Sequence, residues 1–448
     1  MKLLAGVSIS NITPPLGCSL AGGMTDRIAT DVHDELLVKS LVLDNGQTRL
    51  AFAVCDLCVL PRGPVARAKH LIHSHTGIPM TNILVAATHT HSAPPAAHLF
   101  QSQPDPKYVD WLIVRIADSV RRAANRLEPA RIGWGAGRED RLVFNRRYFM
   151  KPGAIPADPF GGSSDRVLTN PGVGNPNVVK PAGPIDPDAG VVAVETPDRR
   201  PIALLGNYAL HYVGGEGRGH ITADYFGYWA GAISRLAGAD FAAILTNGCS
   251  GDINGVDVRG PAGKHPPYER MRRAADMLAA ECYRVWRALS FEEWVKLDAA
   301  EEEVELEVRL PTAAEVAAAR KTLAAASSSA GQLRERPQIY ARETIILGEG
   351  WPRKVRTLVQ AMRIGSLGIA SFPGEAFVEL GLEVKGRSPF RPTLAIGLAN
   401  DYQGYIPTVE AHRLGGYETW RAKSSFLETT AAPKLVAAAL RQLARLQG

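Results

Sequence analysis

Cysteine is scarce in this chain: five residues among 448, an odd number. A disulfide framework needs paired cysteines and an oxidising compartment, so the count argues for a reducing setting. Cys55 and Cys58 form one CxxC inside the strand-like run LAFAVCDLCVL, and Cys249 and Cys282 do not supply the second pair of a structural zinc site. These cysteines read as packing residues. Long apolar runs are missing too. No run of about 18 uninterrupted apolar residues occurs, so no membrane span is expected. The opening MKLLAGVSISNITPP has too short an apolar stretch for a secretion signal, which predicts a cytoplasmic protein. Charge of one sign is also lacking. The net charge is +6, and basic residues alternate with acidic ones in SVRRAANRLEPARIG and YERMRRAADMLAAE. Those are solvated helix faces, and no nucleic-acid partner is expected.

What is present is an ordinary globular balance, 46% apolar and 21% charged. Residues 36–57 read as a hairpin turning at Asp44-Asn45-Gly46. A helix is predicted over Val65–Ser74, then a strand, then an amphipathic helix over 108–127. The alternation predicts a mixed α/β fold, layered β-sheets flanked by helices. Residues 151–187 are rich in Pro, Gly and Asn and read as a lid, a binding loop or a linker. Strands resume at GVVAVETP, PIALLGNYALH and FAAILTN, with helices near Phe226–Leu236 and Tyr268–Leu289. A strand over 297–309 and a helix over 312–326 followed by a Ser/Ala/Gly linker make 291–355 an insertion or subdomain. Two strands within 356–373 and one over 392–399 precede a C-terminal helix in 431–448, packed on a single domain of 1–430. No internal repeat is apparent.

Chemistry concentrates at strand ends. TNILVAATHTHSAPP runs an apolar strand into His89 and His91. In a strand, residues two apart share a face about 7 Å apart, and imidazole is the commonest metal ligand. Strand-end histidines held by hydrogen bonds are the plain alternative. NYALHYVGG ends another strand in His211; LGIASFPGEAFVELG puts Glu375 at a Pro-Gly turn; ANDYQGYIPT carries Tyr402 and Tyr405; TNGCSGDINGV carries Ser250, Asp252 and Asn254. Convergence of such ends would make one polar pocket with nitrogen and oxygen donors of the kind that zinc takes.

At these residues the chain resembles the neutral, non-lysosomal ceramidases over nearly its whole length. His89 to Pro94 reads HTHSAP against that family's THTHSGP-like segment. The resemblance implies Zn²⁺ held by His89, His211, Glu375 and Tyr405. It also implies that His91 and Arg146 of FNRR face the pocket; TADYFGY, with Asp224 and Tyr228, matches the family's SxD-x-x-Gly-Tyr segment before a helix. The family has a catalytic serine in a GDxSPN-like turn; here GDINGV places Asn254 there.

The expectation is therefore a zinc-dependent hydrolase that uses zinc-activated water on an amide, or an ester, of a small soluble N-acyl substrate. His91, Arg146 and Asn254 are the expected catalytic groups, Asp56 an orienter of a ligand histidine, and His33 a pocket residue. The alternatives are an amidohydrolase-type enzyme, built from eight βα units with HxH on the first, and a catalytically inactive zinc-containing binding protein.

Overall fold

The computed structural model describes residues 2–448 apart from 262, 264 and 327–330; the expected Ser/Ala/Gly linker falls partly outside the described residues. Strands β1 (Leu4–Asn11), β2 (Leu37–Asp44), β3 (Arg49–Cys55) and β4 (Ile83–Ala87) form a sheet in the order β4-β3-β2-β1, with short Glu128–Pro129 at its edge. The β2–β3 hairpin is set by local chemistry. Asn45 Oδ1 accepts from the backbone of Gln47 and Thr48 at 2.9 and 2.8 Å, and Gly46 takes φ +83°. Helix α1 (Arg62–Thr76) joins β3 to β4, and α2 (Pro106–Ala124) follows β4. Asp105 caps α2 by accepting from the Lys107 N–H, with Pro106 in its first turn, as an N-terminus requires.

The same plan recurs twice. Strands β5 (Arg131–Arg138), β6 (Asp188–Glu195), β7 (Pro201–Tyr208) and β8 (Ala242–Asn247) form a second sheet with α3 (Asp224–Ala237) and α4 (Glu269–Arg287). Strands β9 (Leu297–Glu307), β10 (Lys354–Ile364), β11 (Leu367–Ser371) and β12 (Thr393–Ile396) form a third, with α5 (Ala313–Ala324), α6 (Arg336–Gly350), α7 (Val378–Arg387) and α8 (Ala431–Gln447). In every sheet the first three strands are antiparallel neighbours. The fourth strand arrives after a crossover helix and lies parallel to the third. The chain is thus a threefold topological repeat, which the sequence does not betray. The eight consecutive βα units of the amidohydrolase reading do not occur among the described residues.

The inner strands β2, β3, β6 and β7, with β4 and β8, are buried on both faces and read as nearly continuous apolar runs, whereas β9, LDAAEEEVELE at a sheet edge, alternates. One face of each sheet meets the other two sheets in a shared core: Leu41, Phe52 and Leu84 from the first, Val192, Leu205 and Ile244 from the second, Met362, Ile369 and Ile396 from the third. The alternate residues face the helices. Val42, Ala53 and Val85 pack with α1 and α2, Ala193, Leu204 and Leu245 with α3 and α4, and Ala361, Ala370 and Ala395 with α7 and α8.

The repeat also places the insertions. Each lies between first and second strands, at 12–36, 139–187 and 308–353. Two expectations change here. Residues 291–355 are not a separate unit, because β9 is a full strand of the third sheet; only 308–353 is inserted. Residues 151–187 are not strand-free, because Val167–Thr169 and Val178–Pro181 pair on both sides of Arg147–Met150. Backbone pairing there needs no apolar core, so composition concealed it.

Candidate metal centre

Parallel pairing of third and fourth strands sends six strand C-termini to one end of the molecule, where sites in such sheets form. The three repeats are stitched together there. The Ala87 N–H donates to Leu398 O at 3.1 Å and the Gly397 N–H to Asn247 O at 3.0 Å. Asn247 Nδ2 donates to Thr88 O at 3.1 Å.

His89 follows β4, but β4 has already ended at Ala87, and His89 takes φ +79°. Strand alternation therefore does not pair it with His91. The left-handed residue turns the chain, and the rings meet edge to face with centroids 4.7 Å apart. Strained backbone of this kind is tolerated where the surroundings enforce it. His211 follows β7, and Glu375 follows β11 in a short strand paired with Tyr405–Ile406. Two glycines make the approach possible. A Cβ on Gly251 would lie 2.3 Å from Glu375 O, and one on Gly22 (φ +97°) 2.4 Å from the His91 ring.

The donors converge. His89 Nε2 lies 3.0 Å from His211 Nε2 and 3.1 Å from His91 Nε2. Glu375 Oε2 is 3.4 Å from His89 Nε2 and 3.7 Å from His211 Nε2. The other ring nitrogens are committed: His89 Nδ1 donates to Cys58 O at 2.8 Å, and His211 Nδ1 to Ser250 O at 3.0 Å. Two donors pinned to carbonyls leave two Nε2 lone pairs aimed at one point. Tyr402 OH donates to Glu375 Oε1 at 2.9 Å, whereas Oε2 is buried with no hydrogen-bond partner. A buried orphan carboxylate oxygen facing two lone pairs demands a cation. The spacing suits one small ion with bonds of about 2.0–2.2 Å, and the nitrogen and carboxylate donors suit zinc.

The field at this point favours a positive charge, which a proton on His89 Nε2 supplies where no ion does. Burial alone would strip that proton, but Cys58 and Glu375 beside it hold the His89 pKa up to about 10, and a bound cation would have to displace the proton. Burial and the His89 charge hold His211 and His91 well below the usual imidazole range. Burial pushes Glu375 up, yet His89 and Arg146 outweigh it and keep the carboxyl below its ordinary value.

Around the cluster, Arg146 is buried and salt-bridged to Glu418 at 2.8 Å; its Nη2 donates to Tyr405 OH at 3.1 Å. His91 stacks on Tyr212 with centroids 3.6 Å apart. A chamber of about 40 Å³, lined by His89, His91, Glu375, Tyr402, Tyr405 and Tyr417, is the inner end of a cavity of about 460 Å³. All three insertions wall that cavity, through Met24, through Ile155, Pro156 and Val167–Asn170, and through Arg336.

Not every expected residue joins. Asn254 is absent from the cavity lining; its amide donates to Asn170 Oδ1 at 2.7 Å. Its two-residue pairing with Phe144 and Asn145 fixes that direction, which the turn's composition could not reveal. Asp252 caps the start of α7 by accepting from Val378 at 2.9 Å. Asp224 ties down the loop after His211, accepting from Val213 and Gly214 at 3.0 and 2.9 Å. Tyr228 and His33 bond each other at 2.7 Å and, with Asp56, line a different, larger cavity of about 820 Å³ that includes none of His89, His91 and His211. Asp56 orients no ligand; the Cys58 carbonyl does. Tyr417 and Glu418 escaped the sequence reading, which marks Tyr402 as a strand-end candidate without a role. The only hint was position: Tyr402 in the same strand-end run as Tyr405, and Tyr417-Glu418 directly after Gly415-Gly416.

No protein-family model and no curated protein sequence matches the chain. Solved structures do. Neutral ceramidase from Pseudomonas aeruginosa superposes with TM-score 0.73 at 17% identity, covering 100% of this chain and 75% of that one. The fold is that of the neutral ceramidases. A second structure, a ceramidase complexed with C2, gives TM-score 0.76 at 17% identity with the same coverage. On this fold, His89, His211 and Glu375 bring their donor atoms together, and His89, His91 and Glu375 line the chamber.

Proposed function

We propose that this protein is a zinc-dependent hydrolase that cleaves an amide, or an ester, in a small soluble N-acyl substrate. The observation that carries the reading is the pair of imidazole Nε2 atoms 3.0 Å apart, both rings anchored through Nδ1, facing the orphan Oε2 of Glu375. His89, His211 and Glu375 would hold the ion, with Tyr405 completing the set. Zinc supplies Lewis acidity, polarising a carbonyl and lowering the pKa of water to about 7.

The remaining residues do the positioning and proton work. His91 Nε2 stands 3.1 Å from His89 Nε2 with its ring clamped between Gly22 and Tyr212, so it can take a proton from the nucleophile and return it to the leaving amine. Arg146 is permanently charged, buried and held by Glu418, and stabilises negative charge developing on the carbonyl oxygen. Tyr402 holds Glu375 so that one oxygen stays free. Asn254 has no part in this scheme, since its amide is spent on Asn170.

The test is metal analysis of purified protein, then a screen of N-acyl amines and amino acids with and without chelator. About one zinc per chain is expected, lost in His89→Ala and His211→Ala, with chelator-sensitive turnover. Full zinc occupancy in both variants overturns the metal assignment. Zinc without turnover on any amide or ester favours the inactive binding protein.

A further inference from the structure

Arg336 opens α6 and stands exposed at the mouth of the cavity that ends at His91, Arg146 and Tyr405. Its guanidinium carbon lies 5.4 Å from the centre of the Trp420 ring. That ring is a fixed platform. Its Nε1–H donates to Asp165 at 2.8 Å, and Tyr340 and Tyr417 meet it edge to face at 5.7 and 6.0 Å. A guanidinium resting on an aromatic face keeps a fork of N–H donors at its perimeter, matched to a carboxylate.

Arg146 and Asp165, the other Arg and Asp side chains of the cavity lining, are already committed. Arg146 is paired with Glu418. Asp165 gives one oxygen to Trp420 and packs the other against Gly415, where a Cβ would lie only 2.0 Å away. Arg336 has no ion-pair or hydrogen-bond partner among the described residues. The wall that the two arginines share carries an apolar group, Met24, Ile155, Pro156, Val167 and Leu168, beside polar Thr169 and Asn170.

We infer that Arg336 is the receptor for a carboxylate on the substrate. The substrate is then a small amide with a short apolar body, its carbonyl at Arg146 and its carboxylate at Arg336. This rests on the hydrolase reading above, and it adds the charge of the substrate. The carboxylate can sit on the amine side of the scissile bond, as in an N-acyl amino acid, or at the far end of the acyl group.

Three probes separate these cases: an N-acetyl amino acid, an N-glutaryl alkylamine and a neutral N-acetyl alkylamine. Each is assayed for hydrolysis and, by calorimetry, for binding to the zinc-loaded protein. Wild type, Arg336→Ala and Arg336→Lys are compared; Arg336 is exposed, so folding is checked by circular dichroism alone. One carboxylate probe is expected to be preferred by wild type. Arg336→Ala should raise its KM and Kd by about tenfold or more, as loss of a charge-assisted hydrogen-bond pair does, with kcat little changed and the neutral probe unaffected. Arg336→Lys should fall between. Equal handling of charged and neutral probes by wild type and Arg336→Ala overturns the carboxylate receptor while leaving a working hydrolase. Absence of hydrolysis for every probe counts against the hydrolase reading instead. Binding then decides the receptor: a Kd for carboxylate probes that Arg336→Ala leaves unchanged overturns it.

Discussion

At the scale of single residues, the site depends on what is small and what is buried. Gly22 has no Cβ and a left-handed φ, and the His91 ring occupies the space a methyl would need. Gly22→Ala should therefore displace His91 without touching His89, His211 or Glu375. The expected result is a kcat lowered by roughly 10²-fold, the range of a lost acid–base group, at unchanged zinc content. Unaltered turnover would remove His91 from the proposed proton path. Asp56 tests a different property. Burial pushes its carboxyl up to about 6 from an ordinary 3.8, against the pull of Lys39 and the Leu37 N–H. The folded protein thus binds more protons than the unfolded chain between those values. The contribution is intact below about pH 4 and is lost as pH rises through about 6. Asp56→Asn mimics the protonated form, so it should stabilise the protein by up to roughly 3 kcal/mol above pH 7 and change little at pH 4. Chemical denaturation at both pH values checks this; equal effects at the two would show that ionisation of Asp56 is not the cause.

At the scale of elements, the segment 151–187 is the one best placed to control access. Ile155, Pro156 and Val167–Asn170 form part of the cavity wall, and Asp158 organises the turn between them by accepting from Phe160 and Gly162, both at 2.8 Å. Phe160 is 48% exposed, yet it meets buried Tyr340 edge to face at 5.7 Å. We propose that this contact latches the segment as a lid. Shortening 156–164 to a brief glycine linker should raise KM several-fold or relax specificity while zinc stays bound, because none of the proposed ligands lies there. Limited proteolysis gives a second measure. Cleavage within 151–187 should slow when product is present. Equal cleavage rates with and without product, together with unchanged kinetics after shortening, would make the segment a tether.

At the scale of the whole molecule, the three repeats share one core and cannot be stable apart. Each sheet alone would expose the face that carries Leu41 and Phe52, or Val192 and Ile244, or Met362 and Ile396. Apolar burial is the main favourable term in folding, at about 25 cal/mol per Å², so an isolated repeat loses the burial of its whole shared-core face. Residues 1–129 expressed alone should be unfolded or aggregated by circular dichroism and gel filtration. A cooperatively unfolding monomer would refute the shared-core argument. In the intact chain, Phe52→Ala should cost about 3–5 kcal/mol and lower the melting of the tryptophans of the second repeat, Trp134, Trp229 and Trp286, as much as it lowers the far-ultraviolet signal.

Much of this was legible in the residues. Apolar periodicity located the β2–β3 hairpin, α2, α4 and the C-terminal helix to within a few positions, because local hydrogen bonding and one buried face impose that periodicity wherever an element forms. Polar residues at the ends of apolar strands marked His89, His91, His211 and Glu375, because a buried polar group must have a use or a partner. The direction of a side chain on a turn was not legible: Asn254 and His33 sit in suggestive sequence but bond elsewhere. Nor was the repeat, because a shared core asks each strand only for apolar side chains on alternate faces, and insertions of unequal length hide the period. What the sequence by itself determined is therefore the set of elements and the chemistry available at their ends. Only the tertiary structure decided which ends meet. Parallel pairing within three separate sheets and burial of their faces in one core are contacts between residues hundreds of positions apart, and they alone bring His89, His211 and Glu375 to one point.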